Sequence, residues 1–162
     1  MQRYFIDAKN IEGSYIHIDS YNHKHMQRVM RYRSGDQVIC ILPDQHVYIY
    51  EIVDMDKGIL RQKEELLENN ELDVQVTLIY GLPKNDKFEW VLQKATELGV
   101  TRIVPFLSKR SIIKTDAKTF DKKRERYLRI LKEASEQSCR QKIPALTSLI
   151  TLSHLPDYLS DI

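Results

Sequence analysis

The sequence predicts an α/β chain in two parts, a small β-barrel over residues 1–70 and, over 71–162, the opening of a domain built on a parallel sheet. Three observations predict it. Short β-branched runs separated by turn residues fill the first part. Strand, helix and strand follow one another between Val74 and Phe106, the pattern of a βαβ unit. Between the two parts, Glu64-Glu65-Leu66-Leu67-Glu68-Asn69-Asn70 reads as an exposed connector and places the boundary near residue 71.

In the first part, Tyr15-Ile16-His17-Ile18 alternates as a strand does. A short helix is expected from about Asn22 to Arg31. Met26, Val29 and Met30 stand at i, i+3, i+4 and give it one apolar face. Ser34-Gly35-Asp36 turns the chain into a strand from Gln37 to Leu42. Pro43-Asp44 turns it again, and His46 to Val53 returns as the second arm of a hairpin.

The second part opens on Val74 to Tyr80, a nearly continuous apolar run suited to a buried parallel strand. Gly81-Leu82-Pro83-Lys84 breaks it. Asp86 with Glu89 three residues on resembles a capping box. Phe88, Val91, Leu92, Ala95 and Leu98 repeat at the helical period, and Gly99 stops the helix. Val100 to Phe106 is the next strand. A basic loop, Ser108 to Lys114, leads to a long helix from about Asp121 to Gln137, with Tyr127, Leu128, Leu131, Ala134 and Ser138 inward. Leu146 to Ile150 is a candidate strand and Leu152 to Leu159 a short last helix.

Composition narrows the function classes. Hydrophobic residues make up 42% of the chain, enough for a packed core. No apolar run approaches the roughly 18 residues of a membrane span, and the N-terminus has no apolar stretch of signal-peptide type. Cys40 and Cys139 form no CxxC pair, which suits a reducing, cytoplasmic setting. Five glycines, at 13, 35, 58, 81 and 99, make neither GxGxxG nor a P-loop. His23 and His25 form an HxH pair that no Cys or carboxylate cluster completes, so no metal is expected.

The net charge of +2 hides an asymmetry. Residues 36–81 carry 3 Lys/Arg and 10 Asp/Glu, a net of −7; residues 82–142 carry 16 and 8, a net of +8. The basic block is either a footprint for a polyanion or a solvated helix face. Ligands of open α/β sheets bind beyond the carboxyl ends of the strands. Lys84 in one such loop, and Lys109, Arg110 and Lys114 in the other, read as a phosphate-binding rim or as loops kept soluble by charge. Arg110, with its planar fork, best suits a phosphate or a base edge. Glu97 in a helix's last turn opposes the helix dipole, which points to a specific partner or to a surface glutamate paired with a nearby arginine. Glu136, Gln137 and Arg140 form a polar cluster at a helix end, with capping as the structural alternative.

These stretches together resemble the ribosomal RNA uridine-N3 methyltransferases (RsmE type). The resemblance is carried by His25-Met26-Gln27-Arg28-Val29-Met30-Arg31 with Gly35-Asp36, and by Gly81 to Trp90 running on through Gln93-Lys94-Ala95-Thr96-Glu97-Leu98-Gly99-Val100. It continues in Pro105 with Ser108-Lys109-Arg110-Ser111, and in Glu133 to Ser138 with Arg140 and Pro144. Asn85 and Cys139 stand where the family pattern more often has glycine.

The resemblance implies a PUA-like β-barrel (1–70) that binds RNA, then part of a SPOUT-type methyltransferase domain (71–162), homodimeric at full length and free of the membrane. It implies methylation of N3 of a uridine in 16S ribosomal RNA, naked or in the assembled 30S particle, with S-adenosylmethionine as donor. The family's Gly-Pro-Glu-Gly-Gly and Leu-Gly-x-Arg-Ile-Leu-Arg stretches do not occur in the 162 residues. The donor-binding knot is therefore expected outside this chain, with no cofactor-binding residue within it and no turnover by the chain alone. Catalytic roles fall to Arg110, stabilising charge on the uracil carbonyls, and to Glu97 or Glu136 as general base. Arg28, Arg31, Lys84, Lys87, Lys94, Lys109, Lys114 and Arg140 are the expected RNA contacts. A non-catalytic RNA-binding protein or fragment is the alternative.

Overall fold

The computed structural model describes residues 1–83, 87–108 and 117–158. The chain divides into two compact units, Met1–Asn70 and Glu71–Ile162.

The first unit is a curled six-stranded sheet. Its centre is a meander of β4 (Gln37–Ile41), β5 (Val47–Asp54) and β6 (Ile59–Leu66), paired antiparallel. β3 (Tyr15–His17) pairs antiparallel with β6, and β2 (Ile11–Glu12) with β3. β1 (Arg3–Phe5) lies parallel to β4 on the other side. The register between β5 and β6 shifts at Ile49/Tyr50 and again at Ile52/Asp54. Bulges of this kind bend a sheet on itself. The concave face buries Tyr4, Ile16, Met26, Val38, Cys40, Tyr50, Ile52 and Leu60. Ile39 and Ile41 point to the opposite face with Val47, as strand alternation requires.

The helix of this unit begins earlier than expected. Asp19 accepts from the backbone N–H of Tyr21 (2.9 Å) and Asn22 (3.0 Å), so α1 spans Ser20–Lys24. It then widens into a π-helical turn over His25–Met30. That wider turn breaks the i, i+3, i+4 stripe. Met26 is fully buried, whereas Val29 is 65% exposed and Met30 faces solvent too. Both histidines of the HxH pair serve the fold: His23 Nε2 donates to the Met55 carbonyl (2.6 Å), and His25 Nδ1 lies 3.0 Å from the Tyr4 hydroxyl. The stretch read as a connector is in part β6, and only residues 67–70 follow the strand.

The second unit holds the expected parallel pair, β7 (Thr77–Gly81) and β8 (Arg102–Leu107), in register from Thr77↔Arg102 to Gly81↔Phe106. α2 (Lys87–Glu97) makes the crossover. The segment expected as one strand near Leu146–Ile150 is two, β9 (Ala145–Leu146) and β10 (Ile150–Thr151), both parallel to β8. A 3₁₀ segment, Leu152–Tyr158, ends the described chain. The long helix is also divided, into α3 (Ala117–Lys122) and α4 (Arg124–Gln137).

The core of this unit gathers Phe88 and Leu92 of α2, Ile103 of β8, Phe120 of α3, Tyr127 and Leu131 of α4, and Leu146. Phe88, Phe120 and Tyr127 form an aromatic triangle with centroids 5.2–6.0 Å apart. Two positions assigned to apolar stripes face out instead, Leu98 (79% exposed) and Leu128. Small polar residues replace them inside. Thr96 Oγ1 donates to Leu92 O (2.7 Å) and Ser135 Oγ to Leu131 O (2.8 Å), so each satisfies itself on its own helix and the two helices can approach closely.

Both helices end in the same way. Val100 N–H bonds Ala95 O across Gly99 (φ +93°), and Arg140 N–H bonds Ser135 O across Cys139 (φ +59°). Cys139 therefore holds a left-handed position that favours glycine. Cys139→Gly is expected to raise stability by about 0.5 kcal/mol, the relieved strain being partly offset by a more flexible unfolded chain. Urea denaturation of the two proteins checks this; an unchanged or lower midpoint would contradict it.

Candidate functional site

Crossover topology decides which residues can act together. The chain leaves β7 at its carboxyl end, returns along α2, and re-enters the sheet at the amino end of β8. Thr101 N–H bonds Val76 O (2.9 Å) and closes that amino edge beside the start of β7. The carboxyl ends of β7, β8 and β10 share the opposite edge, where ligands of open α/β sheets bind. There, Leu107, Ser108, Thr151, Leu152 and Ser153 line an open concavity of about 600 Å³.

The candidate catalytic residues divide between these edges. Arg110 follows β8 at the carboxyl edge in sequence; with Lys84, Asp86, Lys109 and Lys114 it lies outside the described residues. Glu97 is the last residue of α2, at the amino edge. It accepts from Lys94 Nζ (2.7 Å) and Gln93 Nε2 (3.0 Å). The Lys94 ammonium, the largest influence, holds the carboxyl below its ordinary range against partial burial, with Gln93 assisting. Glu97 thus forms a surface ion pair, with Lys94 rather than with an arginine. Glu136 is buried in the last turn of α4, 3.9 Å from Lys132 Nζ.

Arg140, expected at the RNA, is turned inward and almost fully buried. Its Nη1 donates to Val100 O (2.6 Å) and Thr96 O (3.2 Å), and its Nη2 to Glu71 Oε2 (2.6 Å). Glu71 also accepts from the backbone N–H of Gln141 (2.8 Å) and Lys142 (3.0 Å). Burial alone would raise the Glu71 carboxyl, but Arg140 and those two amides hold it below its ordinary value. The guanidinium therefore caps α2 and pins the start of the unit to the end of α4. This corrects the expectation of an RNA contact. Capping was legible as an alternative, but nothing local in the sequence joins Glu71 to Arg140 across 69 positions.

Of the remaining expected contacts, Lys87 opens α2 and is exposed, and Lys94 is half-exposed beside Glu97. In the first unit Arg28 and Arg31 are exposed at the end of the π turn. Arg31 adopts a left-handed conformation (φ +57°) and ends that turn. It lines an open groove of about 470 Å³ with Gln27, Tyr32, Arg33, Ser34 and Asp56. Arg33 was not singled out from sequence; only its place beside Arg31 in the groove marks it.

Comparison with known proteins places both units. Residues 22–62 match the family model of the RNA methyltransferase PUA domain. The ribosomal RNA small subunit methyltransferase E of Bacillus subtilis is 39% identical, over 99% of this chain and 65% of its own length. The chain thus spans just under two thirds of that relative. Among solved structures, a protein described as hypothetical superposes with a TM-score of 0.89 at 38% identity, over 99% of this chain and 68% of that one. The Neisseria gonorrhoeae ribosomal RNA small subunit methyltransferase E, solved with S-adenosyl methionine, superposes at 0.84 over 97% and 65%; at 24% identity it speaks for the fold. The PUA-domain match falls within the first unit, as the sequence led one to expect of a PUA-like part before the second. Residues 70–162, more than half of the chain, match the RNA methyltransferase domain, and the chain belongs to that family.

Proposed function

We propose that the full-length protein transfers a methyl group from S-adenosylmethionine to N3 of a uridine in small-subunit (16S) ribosomal RNA, in the cytoplasm, as a homodimer, with naked RNA or the 30S particle as substrate. The observation that carries this reading is the pairing, in order on one chain, of a PUA-family unit and an RNA methyltransferase unit. The 39% identity to a small-subunit ribosomal RNA methyltransferase supports it. That no described helix is long and apolar enough to cross a membrane accords with it.

The concavity at the carboxyl edge is a candidate part of the donor side. Leu107 and Leu152 offer apolar walls, and Ser108, Thr151 and Ser153 offer hydroxyls, but no carboxylate among the lining residues faces the donor's cationic groups. The residue roles proposed for this chain lie on the RNA side. Uracil N3 must lose its proton before it can attack a methyl group, and negative charge then spreads onto O2 and O4. In this proposal Arg110 stabilises that charge, Lys84, Lys87, Lys109 and Lys114 hold nearby phosphates, and Arg28 and Arg31 grip the RNA through the PUA-like unit.

The decisive experiment uses full-length protein, donor with a labelled methyl group, and small subunits lacking the modification. Mass spectrometry of nuclease fragments is expected to find one methyl group on uridine N3. Label on a ribose, on another base, or nowhere would overturn the proposal. Separately, Arg28→Ala and Arg31→Ala are each expected to weaken RNA binding severalfold. Each should flatten the dependence of log K on log salt by about 0.7–0.9 per lost phosphate contact. Unchanged slopes in filter-binding titrations would remove both arginines from the interface.

A further inference from the structure

One large aromatic surface is left unused by the assignments above. Trp90, the only tryptophan of the chain, is 63% exposed on α2. α2 buries Phe88, Leu92 and Thr96, which places Trp90 on the side away from the core. Lys87 stands three residues before it and Lys94 four after, the spacings that make side chains neighbours on one helical face. An indole between two ammonium groups has the composition of a nucleic-acid platform, in which the ring stacks on a base and the cations meet the adjoining phosphates.

The two lysines are not equivalent. Lys94 is held by Glu97 at 2.7 Å, and that carboxylate repels a phosphate at the C-terminal end of the face. Lys87 opens the helix, where the positive end of the dipole adds to its charge. The favourable path therefore runs from Trp90 toward Lys87, the end of α2 that follows the carboxyl end of β7 in the chain.

We infer that Trp90 stacks an unpaired base of single-stranded RNA and that Lys87 takes the adjoining phosphate on the side of the sheet's ligand edge. This deepens the proposed function by naming a specific contact for a single-stranded flank of the target, and it rests on that reading. The bare alternative, a contact with another protein through Trp90, lacks support from the neighbouring charges.

The test is titration of the full chain with a short oligouridylate, followed both by tryptophan fluorescence and by the anisotropy of a labelled oligonucleotide. Binding is expected to quench Trp90. Trp90→Ala should weaken binding about tenfold with the salt slope unchanged. Trp90→Phe should stay within about threefold of the parent, and Lys87→Ala should flatten the salt slope. Anisotropy that reports binding without quenching, or equal affinity of parent and Trp90→Ala, would overturn the platform and leave RNA binding standing. A change of oligomeric state in Trp90→Ala, with RNA affinity intact, would also overturn it and assign the face to a protein contact. No binding by anisotropy in any form would remove both the platform and the RNA reading.

Discussion

Arg140→Ala is expected to lower the stability of the second unit by about 3–5 kcal/mol, the scale for removing one partner of a buried ion pair. The deletion removes the guanidinium partner of Glu71, whose side chain is only 10% exposed, and frees the Thr96 and Val100 carbonyls at the end of α2. An RNA-facing arginine on an exposed surface would behave differently, costing about 0.5 kcal/mol or less on removal. Urea denaturation separates these cases. The double variant Glu71→Gln with Arg140→Met should lose less than Arg140→Ala, because it leaves no buried charge unpaired. A loss below 1 kcal/mol in Arg140→Ala would return this residue to the list of RNA contacts.

The same pair sets a pH dependence with a definite sign. Glu71 is held below its ordinary value in the folded protein. Its contribution is therefore fully present above the unfolded carboxyl value of about 4.3 and is lost as pH falls through the lower, folded one. In Arg140→Ala burial and the two amides remain. If burial prevails, the folded Glu71 value rises above the unfolded one, and acid then favours the variant's folded state at this group. The stability gap between parent and variant should accordingly narrow on acidification.

Much of this architecture was legible because it rests on local signals. The apolar run before Gly81, the helical period from Phe88 and the stop at Gly99 each reflect physics confined to a few residues, and β7, α2 and β8 follow from them. Cys139 stood out through the family resemblance, as a residue where the pattern more often has glycine, and its φ of +59° gives the reason. What could not be read depends on distant partners or on backbone choices with weak sequence marks. The π turn at His25–Met30 leaves Val29 exposed despite an orderly helical pattern. β1 is three residues long and needs β4 to exist. Leu98 faces out and Thr96 is buried in its stead because Thr96 bonds its own helix and admits a close neighbour. Arg140 looked like one more cation of a basic block until Glu71 claimed it.

In methyl-transfer assays of the full-length protein, Arg110→Ala is expected to lower kcat by about 10²–10³, the scale for losing one group aimed at charge that develops in the transition state. Glu97→Gln is expected to change kcat less than about threefold. The contrast follows from topology. In this proposal Arg110, which follows β8 in sequence, acts beyond the carboxyl end of that strand, while Glu97 closes α2 at the amino edge, eleven residues along the helix from its start at Lys87. That helix is about 16 Å long at 1.5 Å per residue, beyond the reach of a general base for a uracil bound at the carboxyl edge within one subunit. Glu97 is also committed electrostatically. Its carboxylate is already stabilised by Lys94, which makes it a weaker proton acceptor than an ordinary glutamate. The pH profile adds an independent readout. If Glu97 were the base, Glu97→Gln would abolish the acid limb of the rate profile; if it is the partner of Lys94, the limb persists. A hundredfold loss in Glu97→Gln with RNA affinity intact would show that the amino edge of the sheet reaches the reacting base. That would require a second subunit to bring the two edges together.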